Sequence, residues 1–237
     1  MKSFDEYSIR AKIYPAILTS LPFYIFYFSW LNDHVGRLLN QIVNSTNWSS
    51  ALSLSSGASL QAAITFFFIE INRYISKFIF EKIVFASEFN FATTNLLLYT
   101  NNEFSENYKN IIRKKVYDVF KIKLPTRRYE STNIKEARKL INEAVGLIRE
   151  RVKKGSLLHE YNIRYGFARN FIGGCVIALL VSLFNIIFFS IVKIIIPIYI
   201  SVVLSFIYLS ALLMSKIILN KLGHEYAKKL YSEFLDQ

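Results

Sequence analysis

The chain of 237 residues contains one cysteine, Cys175, and only eight glycines. A single cysteine excludes an internal disulfide and a cysteine-based metal site. The glycines are scattered, so the sequence has no phosphate-binding loop, and no serine lies in a nucleophile elbow. The three histidines, His34, His159 and His224, fall in separate segments without the spacing of metal ligands. We therefore predict no catalytic residue, no metal and no cofactor, and interpret the chain as a protein that is not an enzyme.

Acidic residues are also scarce, because 17 Asp and Glu stand against 29 Lys and Arg, for a net charge of +12. Such an excess attracts nucleic acid or anionic lipid, or it is the surplus that membrane proteins keep on their cytoplasmic side. What the sequence does have is apolar residues, at 53% of the chain, with 21 Phe and 15 Tyr. These residues fall into long runs, which indicates an integral membrane protein.

Four apolar runs predict four transmembrane helices, paired as two hairpins. The first covers about residues 13–31 without a charge, and Pro22 is expected to kink it. The second, about 51–71, is serine-rich in its first half, so a re-entrant or peripheral segment is the alternative to a crossing. The third and fourth, about 171–192 and 194–214, form a tight hairpin interrupted at Lys193.

The distribution of charge predicts the orientation of these spans. Residues 73–169 contain 20 Lys and Arg against 10 Asp and Glu, whereas the loop between the first two spans has Arg37 as its only cation. The positive-inside rule then places the N-terminus, the middle of the chain and the C-terminus on the cytoplasmic side of the membrane. We interpret this membrane as a bacterial inner membrane.

The predicted fold is therefore all-α, with two transmembrane hairpins flanking a helical domain. We expect an N-terminal hairpin over residues 1–71 and a basic cytoplasmic domain over 72–170. A C-terminal hairpin with a short cytoplasmic tail would occupy 171–237.

Within the middle domain, two helices have recognisable starts. Ser105 is expected to cap a helix that buries Ile111, Ile112, Val116, Val119 and Phe120. Asn133 and Glu136 form a capping-box pattern before a second helix. The apolar stripe of that second helix consists of Ile134, Ala137, Ile141, Ala144, Ile148 and Val152.

Polar residues inside the apolar runs are the first set of candidate functional residues, because burying them in lipid is costly. One stripe recurs every four residues along the second span: Ser53, Gly57, Gln61 and Thr65. Asn185 stands alone in the third span. The stripe either packs helices together or lines a pore in a homo-oligomer.

Basic residues of the middle domain are the second set. They are Arg113, Lys114, Lys115, Lys121, Lys123, Arg127 and Arg128, with Tyr117, Phe120 and Tyr129 interleaved. Such a surface either faces anionic lipid near the membrane or binds nucleic acid, a nucleotide or an acidic regulatory protein.

Three segments carry a family resemblance: FDEYSIRAKIYPAILTSLPF at the start, LPT at 124–126, and HEYNIRYGFARNFIGG before the third span. The pattern resembles small four-pass membrane effectors of bacterial anti-phage systems of the retron or cyclic-nucleotide type. The resemblance implies an abortive-infection effector, a toxin whose cytoplasmic domain senses infection or is held inactive by a partner. Its membrane part would then permeabilise the inner membrane.

Two other classes of function stay open. One is a non-toxic membrane anchor that recruits a cytoplasmic protein or nucleoprotein complex. The other is a small channel or transporter, which the lack of an inverted repeat and the few intramembrane charges disfavour.

Overall fold

The computed structural model describes residues 6–31, 34, 49–79, 90–152 and 156–237, and in the helices the side chains of 49–61, 79, 156 and 157 lie outside the description. The α-helices are α1 (Glu6–Ser8), α2 (Tyr14–Phe26), α3 (Ser49–Ile79), α4 (Ala92–Asn95), α5 (Glu106–Phe120), α6 (Arg127–Thr132), α7 (Ile134–Val152), α8 (Ser156–Val192), α9 (Ile195–Leu213) and α10 (Ser215–Asp236). Two π-helical turns, Ile9–Ile13 and Tyr27–Leu31, flank α2. The described residues contain no strand, so the prediction of an all-α fold is confirmed for them.

Two helices of the described residues are long and apolar enough to cross a membrane, namely Leu158–Val192 and Ile195–Leu213. They correspond to the predicted third and fourth spans, and Lys193 with φ 62° turns the chain between them. The predicted first span contains an α-helix of only 13 residues, and the second lies in α3, whose side chains are described only in part. Crossing by these two segments therefore stays a prediction.

The chain divides into two compact units. The apolar unit consists of Met1–Lys77 and Phe167–Ser215, and the basic unit consists of Phe78–Gly166 and Lys216–Gln237. The end of the chain differs from the short tail that the sequence predicted, because α10 joins the basic unit. Its side chains Ala227, Leu230, Tyr231 and Phe234 are buried at spacings of three and four residues, which is one face of a helix.

The core of the basic unit is apolar and continuous. Helix α7 contributes Ile141, Ala144, Val145, Ile148 and Val152, and α5 contributes Ile112 and Val116. The predicted start of α5 is confirmed: the Ser105 hydroxyl accepts a hydrogen bond of 3.2 Å from the Tyr108 N–H.

Two residues expected in this core are exposed instead. Ile111 is 47% exposed and Ile134 is 40% exposed. On α5 the buried stripe runs through Lys109, Ile112 and Val116, and Ile111 lies beside that stripe. Ile134 is the first residue of α7, where the chain enters the helix.

The outer surfaces of α8 and α9 are apolar and exposed. Only 28% of the residues in the most apolar part of α8 are buried, and only 17% in that of α9. Ile191, Ile196 and Leu213 are each more than 70% exposed. A core helix of a water-soluble protein is mostly buried, so these surfaces resemble ones that face lipid.

Candidate functional site

The first polar contact of the apolar unit lies at a backbone carbonyl that a proline inside α2 leaves without its helical partner. Pro22 has no N–H, so the carbonyl of Leu18 loses the hydrogen bond that a regular helix would give it. The Tyr208 hydroxyl of α9 donates to this Leu18 oxygen at 2.7 Å. A backbone acceptor freed by proline is thereby satisfied from a neighbouring helix, as apolar surroundings require.

Asn185 of α8 makes the second contact to the same helix. Its amide nitrogen donates to the Pro22 carbonyl at 2.7 Å, and the side chain is fully buried. The amide oxygen of Asn185 has no hydrogen-bond partner among the described residues. The residue that the sequence singled out in the third span therefore joins α8 to α2.

Asn170 connects the N-terminal segment, α3 and α8. Its amide nitrogen donates to the Ala11 carbonyl at 2.6 Å, and its amide oxygen accepts a bond of 3.2 Å from the Ser76 hydroxyl. The Asn170 side chain is 3% exposed. One amide thus holds three segments that are far apart in sequence.

Gly173 and Gly174 permit the close approach of α8 to α3. A Cβ atom at Gly173 would lie 2.5 Å from the Ser76 Cβ and 2.6 Å from the Ser76 Cα, and one at Gly174 would lie 2.5 Å from the Asn72 amide nitrogen. Small residues allow this kind of contact between apolar helices. Asn72 also donates to the Thr19 hydroxyl at 2.7 Å, so α3 is joined to α2 beside the glycines.

The predicted polar stripe of α3 is described at one position only. The Thr65 hydroxyl lies 3.1 Å from the Tyr24 hydroxyl, so Thr65 contacts α2 within the chain. The side chains of Ser53, Gly57 and Gln61 lie outside the described residues. Between α2 and α3, beside Thr65, lies an open apolar groove of about 890 Å³ whose lining includes Ile17, Phe28 and Phe66.

In the basic unit, buried charged side chains hold the segment between α4 and α5. The Lys109 ammonium donates to the carbonyls of Leu98 (2.7 Å) and Asn101, and burial lowers its pKa. The Glu130 carboxylate accepts from the N–H groups of Tyr99 and Thr100 at 2.9 and 3.0 Å. Sequence periodicity alone missed Lys109 and Glu130, because their partners are backbone groups.

Arg113 belongs to the same buried arrangement. Its guanidinium donates to the carbonyls of Pro125 (2.6 Å) and Leu97 (2.7 Å) and lies 4.2 Å from the centre of the Tyr99 ring. Burial lowers the pKa of Arg113. Pro125 belongs to the LPT segment of the resemblance, whose Thr126 hydroxyl caps α6.

The remaining basic candidates differ in their surroundings. Lys115 donates to the Leu235 carbonyl at 2.8 Å, and Arg127 forms an ion pair with Glu106. Five of the cations are exposed: Arg127 and four others, namely Lys114, Lys121, Lys123 and Arg128. The ammonium groups of Lys121 and Lys123 lie 5.9 and 5.7 Å from the ring centre of Tyr117, which is 43% exposed. The structure thus separates the predicted cluster into partly buried cations that donate to backbone carbonyls and exposed ones, of which Lys121 and Lys123 lie near the Tyr117 ring.

Among the residues that the structure describes, no three His, Cys, Asp or Glu side chains are placed to hold a metal ion. His224 instead contacts the Glu103 carboxylate at 3.0 Å and the Asn220 carbonyl at 2.7 Å. Cys175 is buried.

No protein-family model, curated protein or solved structure matches this chain. The function is therefore inferred from the residues and contacts described above.

Proposed function

We propose that the chain is a four-pass integral membrane protein of the bacterial inner membrane, with both termini and the basic unit in the cytoplasm. The observation that carries the proposal is the exposed apolar surface of α8 and α9. Exposure of such surfaces to water costs about 25 cal/mol for each Å² of apolar area, and lipid removes that cost. The excess of Lys and Arg in residues 73–169 supports the cytoplasmic location.

The contacts of α2 and α3 support their inclusion in the membrane. Asn185 and Tyr208 of the two most apolar helices donate to backbone carbonyls of α2, and Asn72 of α3 donates to Thr19. In hydrocarbon, polar groups must find partners within the protein, and these four helices supply them to one another. Two hairpins also return the chain to the side on which it begins.

We further propose that the protein is a membrane effector that permeabilises the inner membrane when its basic unit is engaged or released by a regulator. The support is the resemblance together with the position of its segments. Ala11, Asn170, Gly173 and Gly174 come from the first and third segments, and they meet at the contact of α8 with α3. A change in packing at this contact would alter the arrangement of the membrane helices.

The proposed regulator contacts of the basic unit are four of its exposed cations, Lys114, Lys121, Lys123 and Arg128. Lys121 and Lys123 lie near the Tyr117 ring. Arg113 and Lys115, in contrast, donate to backbone carbonyls of the unit itself. The regulator would be a nucleic acid, a nucleotide or an acidic protein surface.

A membrane anchor for a cytoplasmic complex is the second candidate, because a well-packed apolar unit suits anchoring as well as permeation. The two functions differ in their need for the native spans. An anchor should still work when an unrelated transmembrane hairpin replaces residues 171–214, whereas an effector should not.

The test is induction of the chain alone in a bacterium, with growth and membrane potential recorded over time. We expect depolarisation and growth arrest, and we expect Asn185→Leu to abolish both. Ile187→Leu is the matched control, since Ile187 is 64% exposed on the same helix. Gln61→Leu tests the predicted stripe in the same assay. Normal growth and potential at full expression and correct membrane insertion would overturn an effector that acts once it is free of its regulator, leaving an anchor or an effector that requires engagement.

A further inference from the structure

Helices α8 and α9 face each other through residues spaced seven apart. In the middle of α8, Cys175 and Ala178 pack with Tyr208 of α9. Asn185 follows Ala178 by seven residues, and Ser201 precedes Tyr208 by seven. Seven residues are almost two helical turns. Asn185 therefore lies on the same face of α8 as Ala178, and Ser201 lies on the same face of α9 as Tyr208. Both are fully buried, as these faces require.

Polar atoms at this level have no hydrogen-bond partner among the described residues. They are the amide oxygen of Asn185 and the hydroxyl oxygens of Ser201 and Ser205. Ser205 follows Ser201 by one helical turn, on the same side of α9. An unsatisfied buried polar atom costs about 1–3 kcal/mol in a protein interior, and ordered water is the usual partner that removes the cost.

The backbone of α2 is irregular beside these atoms. Pro22 interrupts its hydrogen bonding, and a π-helical turn, Tyr27–Leu31, follows the helix. The Pro22 carbonyl is the acceptor of the Asn185 amide. Irregular backbone at membrane depth is tolerated where it is buried in protein or lines a water-filled space.

We infer that the buried faces of α8 and α9 that carry Asn185, Ser201 and Ser205 bind water inside the apolar unit. The inference deepens the proposed function, on whose membrane location it rests, by placing the hydrated residues in the interior of one chain. At the one described position of the predicted stripe on α3, Thr65 makes a packing contact with Tyr24. Ser201 and Ser205 are residues that the sequence did not single out.

Water access is tested with thiol labelling in the full chain, after Cys175→Ala removes the only native thiol. Ser201→Cys places a thiol at the proposed water site. Val203→Cys is the matched control, because Val203 lies two residues further along α9 and is 59% exposed on the apolar outer face. A charged, membrane-impermeant methanethiosulfonate reagent is applied to cells and to inverted membrane vesicles, and labelling in dodecyl sulfate gives the total thiol.

We expect the Ser201→Cys variant to react at least about tenfold faster than the Val203→Cys variant, because only a hydrated thiol ionises and reacts. Equally slow reaction of both variants, with full labelling in detergent, would overturn the water site and leave the membrane location intact. Equally fast reaction of both would place the outer face of α9 in water and overturn the membrane proposal itself. Depolarisation by the unmodified chain is scored separately, so loss of the effector proposal is distinguishable from both results.

Discussion

A methyl group has no room at Gly173. The added Cβ would lie 2.5, 2.6 and 2.7 Å from the Cβ, Cα and backbone nitrogen of Ser76. Ordinary contacts between such atoms are about 3.5–4.0 Å, so α3 and α8 would have to separate by roughly 1 Å. A side-chain rotation cannot relieve this contact, because two of the three atoms belong to the backbone. We therefore predict that Gly173→Ala destabilises the apolar unit.

The size of the effect follows from what the separation breaks. Overpacking costs about 1–3 kcal/mol. The hydrogen bonds from Ser76 to Asn170 and from Asn72 to Thr19 cross or adjoin this contact, and each contributes about 1 kcal/mol. The expected loss is about 2–5 kcal/mol, or roughly 5–15 °C in the melting temperature of a chain of this size.

Cys175 provides the assay. It is the only cysteine, it is fully buried, and it lies in the apolar unit, so a thiol-reactive fluorophore reports the unfolding of that unit in detergent. The matched control is Gly146→Ala, because a Cβ at Gly146 meets nothing within 4 Å. That control should leave the thiol-detected melting temperature unchanged. Equal melting of Gly173→Ala and the unmodified protein would refute the close approach of α3 and α8.

Three further predictions concern single hydrogen bonds and charges. Tyr208→Phe should destabilise the apolar unit by about 1 kcal/mol in the thiol assay. The loss should be smaller in a Pro22→Ala background, because alanine at this position supplies the N–H that the Leu18 carbonyl lacks in the unmodified chain. Equal losses in both backgrounds would contradict the account of Pro22. Lys109→Met should lower the free energy of local opening around residues 96–101 by about 2 kcal/mol, because two carbonyls lose their donor, and hydrogen exchange there should become faster. Lys114→Met, the control, should change that free energy by less than about 0.5 kcal/mol. Matching exchange profiles for the two variants would refute the role of Lys109. Replacing Lys121 and Lys123 together by Gln should weaken binding of the regulator. The melting temperature should not change, because both side chains are exposed. Unchanged binding would show that the two lysines do not contact the regulator.

The sequence predicted those parts of the fold that depend on local pattern. The apolar runs, the turn at Lys193 and the start of α5 at Ser105 each follow from properties of a few adjacent residues. The packing of α10 into the basic unit also had a signal, since Ala227, Leu230, Tyr231 and Phe234 are spaced as one helical face. The short length of that segment after a predicted membrane span made it resemble a tail.

Other features depend on partners that are distant in sequence. Lys109 interrupts an apolar stripe, and only the carbonyls of Leu98 and Asn101 explain its burial. Arg113 looks like Lys114 in the sequence, yet Arg113 donates to backbone carbonyls while Lys114 is exposed. For the same reason, the hydrogen bond from Asn185 to the Pro22 carbonyl could not be read from the third span alone.

The central claim is that the chain crosses a membrane four times with the basic unit in the cytoplasm. Reporter fusions test it most directly, with alkaline phosphatase and green fluorescent protein each joined in turn after positions 45, 154, 193 and 237. We expect phosphatase activity at 45 and 193, and fluorescence at 154 and 237. Fluorescence at 45 would mean that the N-terminal segments do not cross, and the four-pass account would be contradicted.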